Sequence, residues 1–249
     1  MPTSIGNDFM QKTRYEHLDR SQQEKGLEQP PLELPWPADA KLIPLPSHEK
    51  LDIPGIDLLT AIEKRKSVRK YNEQSLTLDE LSFLLWCTQG VKSITSRPAT
   101  LRTVPSAGSR HPFETYLLIN RVDGLKTGIY RFIASKHALL AVEISSEVTE
   151  KVTHACIDQV QVRNSAVTFI WDAVVARSFW RYDQRAYRYM HLDAGHVCQN
   201  LYLAAEAIGC GVCGIAAFND DLLNAAVGAD GNREFVIYAA SLGKVGKEE

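Results

Sequence analysis

The spacing of apolar and polar positions separates helices from strands along most of this chain. Leu58, Leu59, Ala61 and Ile62 form an apolar stripe behind Asp57, which is placed to cap a helix. Leu78, Leu81, Leu84, Leu85 and Trp86 repeat at helical steps and stop at Gly90. The T-L-D-E at 77–80 is a capping box in which the Thr77 side chain meets the Glu80 N–H. Residues 149–161 follow a helical pattern. The longest element is marked by Met190, Ala194, Val197, Leu201, Ala204 or Ala205, and Ile208, and it ends at Gly209. Asn219 caps a short helix through Val227. Strand-like runs lie at 113–120 and 166–176, in GIYRFIAS and ALLAVEI (a hairpin closed around Lys136 and His137), in the glycine-rich CGVCGIAAF, and in EFVIYAASLG. Helices and strands alternate irregularly, and several strands are adjacent in sequence. That order predicts an α+β fold with a sheet flanked by helices.

Residues 1–50 differ from the rest. Seven of the eleven prolines fall there, and QPPLELPWPADAKLIPLP excludes a helix over its length. The segment reads as an extended arm, either solvated or lying on a body formed by 51–249 or on a neighbouring subunit. Leu32, Leu34, Trp36 and Leu45 argue for docking, since a solvated tail has no use for them.

Composition narrows the function. The 249 residues are 45% hydrophobic, enough for a sizeable core, and the net charge of -2 gives no reason to expect a nucleic acid or an anionic membrane as partner. No run reaches the roughly 18 apolar residues of a membrane span. The first residues lack the apolar centre of a signal peptide, so the expected location is cytoplasmic. The five cysteines are odd in number and scattered, as reduced thiols would be. The C-x-x-C of Cys210 and Cys213 reads as two small buried residues, with a redox pair or half a zinc site as the alternatives. His191 and His196, five apart on the long helix, do not share a face, so no metal site is expected.

Three separate segments share a chemistry. In KRKSVRKY, Arg65 and Arg69 are four apart around Ser67, and two guanidinium groups with a hydroxyl suit a phosphate. Solvated cations at a helix C-terminus, or a nucleic-acid patch, are the other readings. Pro105, Ser106, Ala107 and Gly108 make a rigid loop with little side chain. Gly211, Gly214, Ile215, Ala216 and Ala217 offer backbone donors with little bulk. Together these segments could bind a flat heterocycle that carries a phosphate. Arg177, Arg181, Arg185 and Arg188 follow helical spacing, either as the rim of a pocket for an anion or as a solvated face.

With KRKSVRKY, LSFLLWCTQGV, RTVPSAGSRHPFETYLLI, RYDQRAYRYMHLDAGHVCQNLYLAAEAIG and CGVCGIAAFND in this order, the chain from Asp57 onward resembles the nitroreductase superfamily of FMN-dependent oxidoreductases, and most of all its SagB-type dehydrogenase branch. The resemblance implies a mixed, mainly antiparallel sheet flanked by helices, in an intertwined homodimer with two flavins at the interface. It implies FMN as cofactor and NAD(P)H as electron donor, with hydride passing through flavin N5 to a nitroaromatic, quinone or enone acceptor, or drawn from a small heterocycle. Arg65 and Ser67 would hold the phosphate, Lys66 would lie near the ribityl chain, and Arg69 would stand at the pyrimidine edge. Pro105, Ser106, Ala107 and Gly108 would come from the partner subunit. Gly214 and Ile215 would cover one ring face, the backbone of Ala216 and Ala217 would face N5, and Lys244, with Lys247, would complete the phosphate site. Arg181 and Tyr182 are the candidate catalytic pair.

The azoline-oxidising members resemble one another in a Lys-Tyr pair where this chain has Arg181 and Tyr182. An arginine does not give up its proton, which weighs against azole formation in modified peptides. His111 replaces a common aromatic after the loop, either as a proton donor or simply packed beside Pro112. Two alternatives stay open: an azoline dehydrogenase of the SagB type, and a module that holds flavin without turnover.

Overall fold

The computed structural model describes residues 4–246. Its helices are α1 (Ile5–Lys12), α2 (Leu58–Lys64), α3 (Leu78–Gln89), α4 (Glu147–Ala155), α5 (Val160–Asn164), α6 (Val175–Tyr182), α7 (Ala186–Ala207) and α8 (Asp220–Val227). Its strands are β1 (Ile43–Pro44), β2 (Val91–Ile94), β3 (Thr100–Arg102), β4 (Phe113–Ile119), β5 (Gly128–Ile133), β6 (Ala138–Glu143), β7 (Val167–Val174), β8 (Cys210–Ile215) and β9 (Glu234–Lys244). Seven of them form one sheet in the order β1-β6-β5-β4-β7-β9-β8, and β2 and β3 make a separate ribbon. The paired strands run antiparallel, while single bridges from Ser67 to Val212 and from Leu76 to Val122 are parallel. This is the α+β architecture expected from the sequence.

Two apolar clusters cover the two faces of the sheet. On one face, Leu81, Leu84 and Leu85 of α3 and Met190, Val197 and Leu201 of α7 pack on Leu117, Phe169 and Trp171. On the other, Val148 and Val152 of α4 and Leu223 of α8 meet Leu118, Ile170 and Ala239. Burial on both faces explains why β4 reads FETYLLI, with every position buried, instead of alternating with polar residues. The expected caps are in place. Asp57 accepts the Thr60 N–H, Asn219 accepts the Leu222 N–H, and Thr77 and Glu80 form the full capping box.

The segment before residue 50 is docked and is extended only in part. It opens with α1, capped by Ser4 and held on α7 by Arg188, whose Nε donates to Thr13 Oγ1 at 2.6 Å. Further along, Leu34 N–H donates to Glu114 at 2.7 Å, Arg131 donates to the carbonyls of Leu34 and Pro35 at 3.1 and 3.0 Å, and Arg177 Nε donates to the Pro31 carbonyl at 3.0 Å. Glu114 is ion-paired with Arg177 and lies 3.9 Å from Arg131 Nε. Ile43 and Pro44 then add β1 to the sheet.

The helical spacing of Arg177, Arg181, Arg185 and Arg188 does not make one face. Val175–Tyr182 is a separate helix, and Asp183, at φ +48°, turns the chain before α7 begins. Arg177 is buried on Glu114, while Arg185 and Arg188 hold the N-terminal segment. Residues 149–161 are likewise broken, by positive φ at Ile157 and Asp158.

Candidate active site

The basic segment leaves α2 at Arg65 and runs beside the edge strand β8. Val68 N–H donates to the Val212 carbonyl at 2.8 Å, which locks the two together. The approach is close enough to require glycine: a Cβ on Gly211 would lie 2.6 Å from Val68 Cβ. Tyr202 of α7 completes the junction. Its Oη accepts the Gly214 N–H at 2.8 Å and stands 3.1 Å from Ser67 Oγ, and its ring lies 5.4 Å below the Arg65 guanidinium. Arg69 is near enough to Cys213 to oppose the rise that burial gives that thiol. Arg65, Ser67, Arg69 and Gly214 are thus one cluster.

Past Gly214 the segment changes character. The Ile215 side chain is buried in the core, so this position offers backbone and not a side chain to cover a ring. Ala216 and Ala217 are exposed, and the Ala217 carbonyl accepts Gln159 Nε2 at 2.8 Å. The outer edge of β8 is used at Val212 and Gly214.

The 105–108 loop is built separately, on the other end of α7. Asp193 accepts Ser106 Oγ at 2.6 Å and the Ala107 N–H at 3.2 Å, and Ser106 Oγ in turn accepts the His111 N–H at 2.9 Å. Burial pushes the Asp193 carboxyl up, against the two donors that hold it charged. Gly108 adopts φ +56°, and a Cβ there would lie 2.9 Å from Arg181 Cδ and closer still to Tyr182 Oη. Arg181 and Tyr182 therefore belong to the loop's surroundings. Pro105 and Gly108 remain exposed. His111 is buried, and burial with the nearby Arg102 and Arg110 charges pushes it down to about 3, so it is a neutral packed imidazole at ordinary pH.

Lys244 does not stand with the other cations. Its ammonium is ion-paired with Glu80 and donates to the Ile208 carbonyl at 2.7 Å, so its charge is neutralised within the chain. Lys247 lies outside the described residues. Cys210 and Cys213 are buried free thiols, Cys210 being pushed up to about 12 by burial. Among the described residues there is no cluster of metal-ligating side chains, and no helix is long and apolar enough to cross a membrane.

Tyr202 and Asp193 belong to none of the three segments that the sequence marks for ligand binding. Both sit inside the motif at 181–209, at positions where a polar residue interrupts an otherwise apolar or small stretch of a packed helix. That interruption was the available signal.

A cofactor with a flat ring and a phosphate suits what is present. Among the described residues Arg65 and Arg69 have no ion-pair partner, Ser67 is exposed, and bare backbone follows at Ala216 and Ala217.

A model of the nitroreductase family matches residues 62–244. The chain is 35% identical over 170 residues to a protein of Methanocaldococcus jannaschii named as nitroreductase MJ1384, covering 68% of this chain and 83% of that one. It is 31% identical over 178 residues to the trifolitoxin-processing protein TfxB of Rhizobium leguminosarum bv. trifolii, covering 66% of this chain and about half, 48%, of the relative. A crystal structure described as a nitroreductase from Anabaena variabilis superposes with a TM-score of 0.62 at 31% identity, over 76% of this chain and 38% of that one.

Proposed function

The chain belongs to the nitroreductase family of oxidoreductases, and on that premise we propose that it is an FMN-dependent enzyme that takes electrons from NAD(P)H and passes them to a nitroaromatic, quinone or enone acceptor. The site is shared between two copies of the chain. When bound, FMN supplies the two-electron hydride chemistry, and the protein supplies position and charge.

Arg65 and Ser67 would hold the phosphate, with Lys66 beside the ribityl chain. Arg69 would stand at the pyrimidine edge, where a guanidinium favours the negative charge that reduction brings. The Ala216 and Ala217 backbone would meet the ring as a donor edge. Tyr202 is a positioning residue that holds Ser67 and Gly214 in register. Pro105, Ser106, Ala107 and Gly108 would close the site from the partner, with Tyr182 and Arg181 behind them.

One observation carries the shared site. Asp193 and Tyr202, which anchor the two halves, are nine residues apart on α7. Nine residues are two and a half helical turns, about 13.5 Å along the axis and on opposite faces. Two halves diverging in this way within one chain can face each other across a two-fold axis. An apolar surface fits that use. Leu58, Leu59 and Ile62 of α2 and Leu192 of α7 are each at least half exposed. Large aliphatic side chains left exposed on two helices suit an interface.

The similarity to a trifolitoxin-processing protein supports a second reading, a dehydrogenase acting on a modified peptide. Arg181 at the lysine position weighs against its azoline-oxidising form. The test is the absorption spectrum of purified protein before and after anaerobic NADH or NADPH. The reductase reading expects a yellow protein bleached by one of them and recoloured by a quinone or nitroaromatic. A yellow protein bleached by neither favours the peptide dehydrogenase or a flavin module without turnover, and a colourless one that refuses FMN ends all three.

A further inference from the structure

The N-terminal segment bridges the end of α6 and is clamped on both sides of it. On one side Arg185 donates to the Thr13 carbonyl at 2.9 Å, and the Tyr15 and Tyr189 hydroxyls share a hydrogen bond at 2.7 Å. On the other side Gln23 N–H donates to the Trp180 carbonyl at 2.8 Å, and Trp180 Nε1 donates to the Leu27 carbonyl at 2.9 Å. Between these clamps the chain stands off the α6–α7 junction. The gap is a cavity of about 510 Å³, with Tyr15, Leu18 and Gln23 on its outer wall and Arg181 and Tyr182 on its inner one. Ligand pockets span roughly 300–1,000 Å³, so the space is large enough for a small substrate.

The inner wall is also the neighbour of the Gly108 loop. A Cβ on Gly108 would lie 2.9 Å from Arg181 Cδ and closer still to Tyr182 Oη, so cavity and loop meet at these two side chains. Tyr182 makes no side-chain hydrogen bond among the described residues, which leaves a free hydroxyl at that meeting point. The lining is aromatic and electrically balanced. The Arg185 guanidinium lies over the Tyr15 ring at 4.4 Å and the Tyr189 ring at 5.6 Å, and Tyr182 packs edge-on against Tyr189 at 4.8 Å. Arg20, Arg181 and Arg185 are offset by Asp19, Glu24 and Asp183, so the lining has no net formal charge. Such walls hold a flat ring by stacking and give a polyanion no attracting field. A nicotinamide dinucleotide, with its pyrophosphate, is a polyanion, whereas a quinone or a simple nitroaromatic is not.

We propose that Tyr15, Leu18 and Gln23 of the N-terminal segment are specificity-determining residues, forming the outer wall of the pocket in which an uncharged, planar aromatic acceptor lies, with the Tyr182 hydroxyl as its hydrogen-bond donor. The inference rests on the reading above that Gly108 lines the reaction site. It gives a function to a segment that precedes residue 62, where the family match begins.

Calorimetric titration of the holoenzyme with 2-naphthamide, a flat neutral ligand that takes no electrons, and with 2-naphthoate reads the pocket without turnover. The amide should bind, and the acid should bind no more tightly. Tyr15→Ala should weaken the amide about three- to tenfold, the scale of one aromatic contact. Tyr15→Phe should restore it, and Leu18→Trp, which fills the cavity, should abolish it. With 2-methyl-1,4-naphthoquinone as acceptor, Tyr15→Ala should lower kcat/KM for the quinone by a similar factor and leave kcat/KM for the nicotinamide donor unchanged, a split that loss of fold or of flavin does not produce. No binding of the amide, amide binding unaltered in both Tyr15→Ala and Leu18→Trp, tighter binding of the acid, or equal falls in the two kcat/KM values overturns the inference and leaves the proposed reductase intact. Amide binding that responds to the variants as expected, with no quinone turned over by the parent enzyme, supports the pocket and contradicts the reductase.

Discussion

Asp193 and Tyr202 stand on opposite faces of one helix, and each fixes a different loop. Asp193 gathers the Ser106 hydroxyl and the Ala107 N–H, while Tyr202 gathers Ser67 and the Gly214 N–H. A single rigid element of 22 residues therefore sets the distance between these two loops within one chain.

Removing the Tyr202 hydroxyl tests one end of that helix. Tyr202→Phe leaves the Gly214 N–H without its acceptor and frees Ser67, with little loss of packing. A lost hydrogen bond of this kind is worth about 1–1.5 kcal/mol, so FMN should bind about tenfold more weakly. Fluorescence titration of apoprotein with FMN reads the change. Unaltered affinity would mean that Tyr202 does not position the site.

Asp172 predicts a pH dependence of stability. It is fully buried in β7, neither carboxyl oxygen has a hydrogen-bond partner among the described residues, and burial, reinforced by Glu234 and Glu114, pushes it up to about 8. A carboxyl raised in the folded state holds its proton where the unfolded chain has lost it. Stability is therefore full below the ordinary value of 3.8 and falls as pH rises towards 8, by at most about 1.4 kcal/mol per unit. Asp172→Asn should raise Tm little near pH 4 and progressively more up to pH 8. A constant difference across that window would contradict this account.

The N-terminal segment hangs on a buried ion pair. Glu114→Gln leaves Arg177 and Arg131 without their carboxylate, and breaking a buried pair from one side costs about 3–5 kcal/mol. Limited proteolysis should then cut between residues 27 and 40, where the intact protein resists. Resistance equal to that of the parent would mean that the strap is held by the Arg177 and Arg131 bonds to carbonyls alone.

Much of this was legible in the sequence, and the failures have causes. The Thr77–Glu80 box, the Asp57 and Asn219 caps and the 3.6-residue spacing of α7 are local signals, and they placed their elements. β4 and β7 were legible as buried runs. The first helix is only eight residues long and precedes the proline-rich stretch that dominates its segment, so its Ser4 cap is its main local mark. The four arginines looked like one face because the positive φ at Asp183 leaves no mark in residue type. Lys244 looked available because its partner Glu80 is 164 residues away in sequence. The closeness of Arg65, Ser67 and Gly214 was legible from the motifs, but the two side chains that fix the loops, Asp193 and Tyr202, were not. Their roles depend on which loops pack on which face of α7, a tertiary fact.

Flavin content of mixed dimers tests the shared site most directly. One chain carries Arg65→Ala with Ser67→Ala, the other Gly108→Asp, and each homodimer should lose its flavin. If every site takes Arg65 from one chain and Gly108 from its partner, the mixed dimer keeps one undamaged site and half the wild-type FMN. If both come from the same chain, every site in the mixture is damaged, and a mixed dimer as empty as its parents contradicts the account.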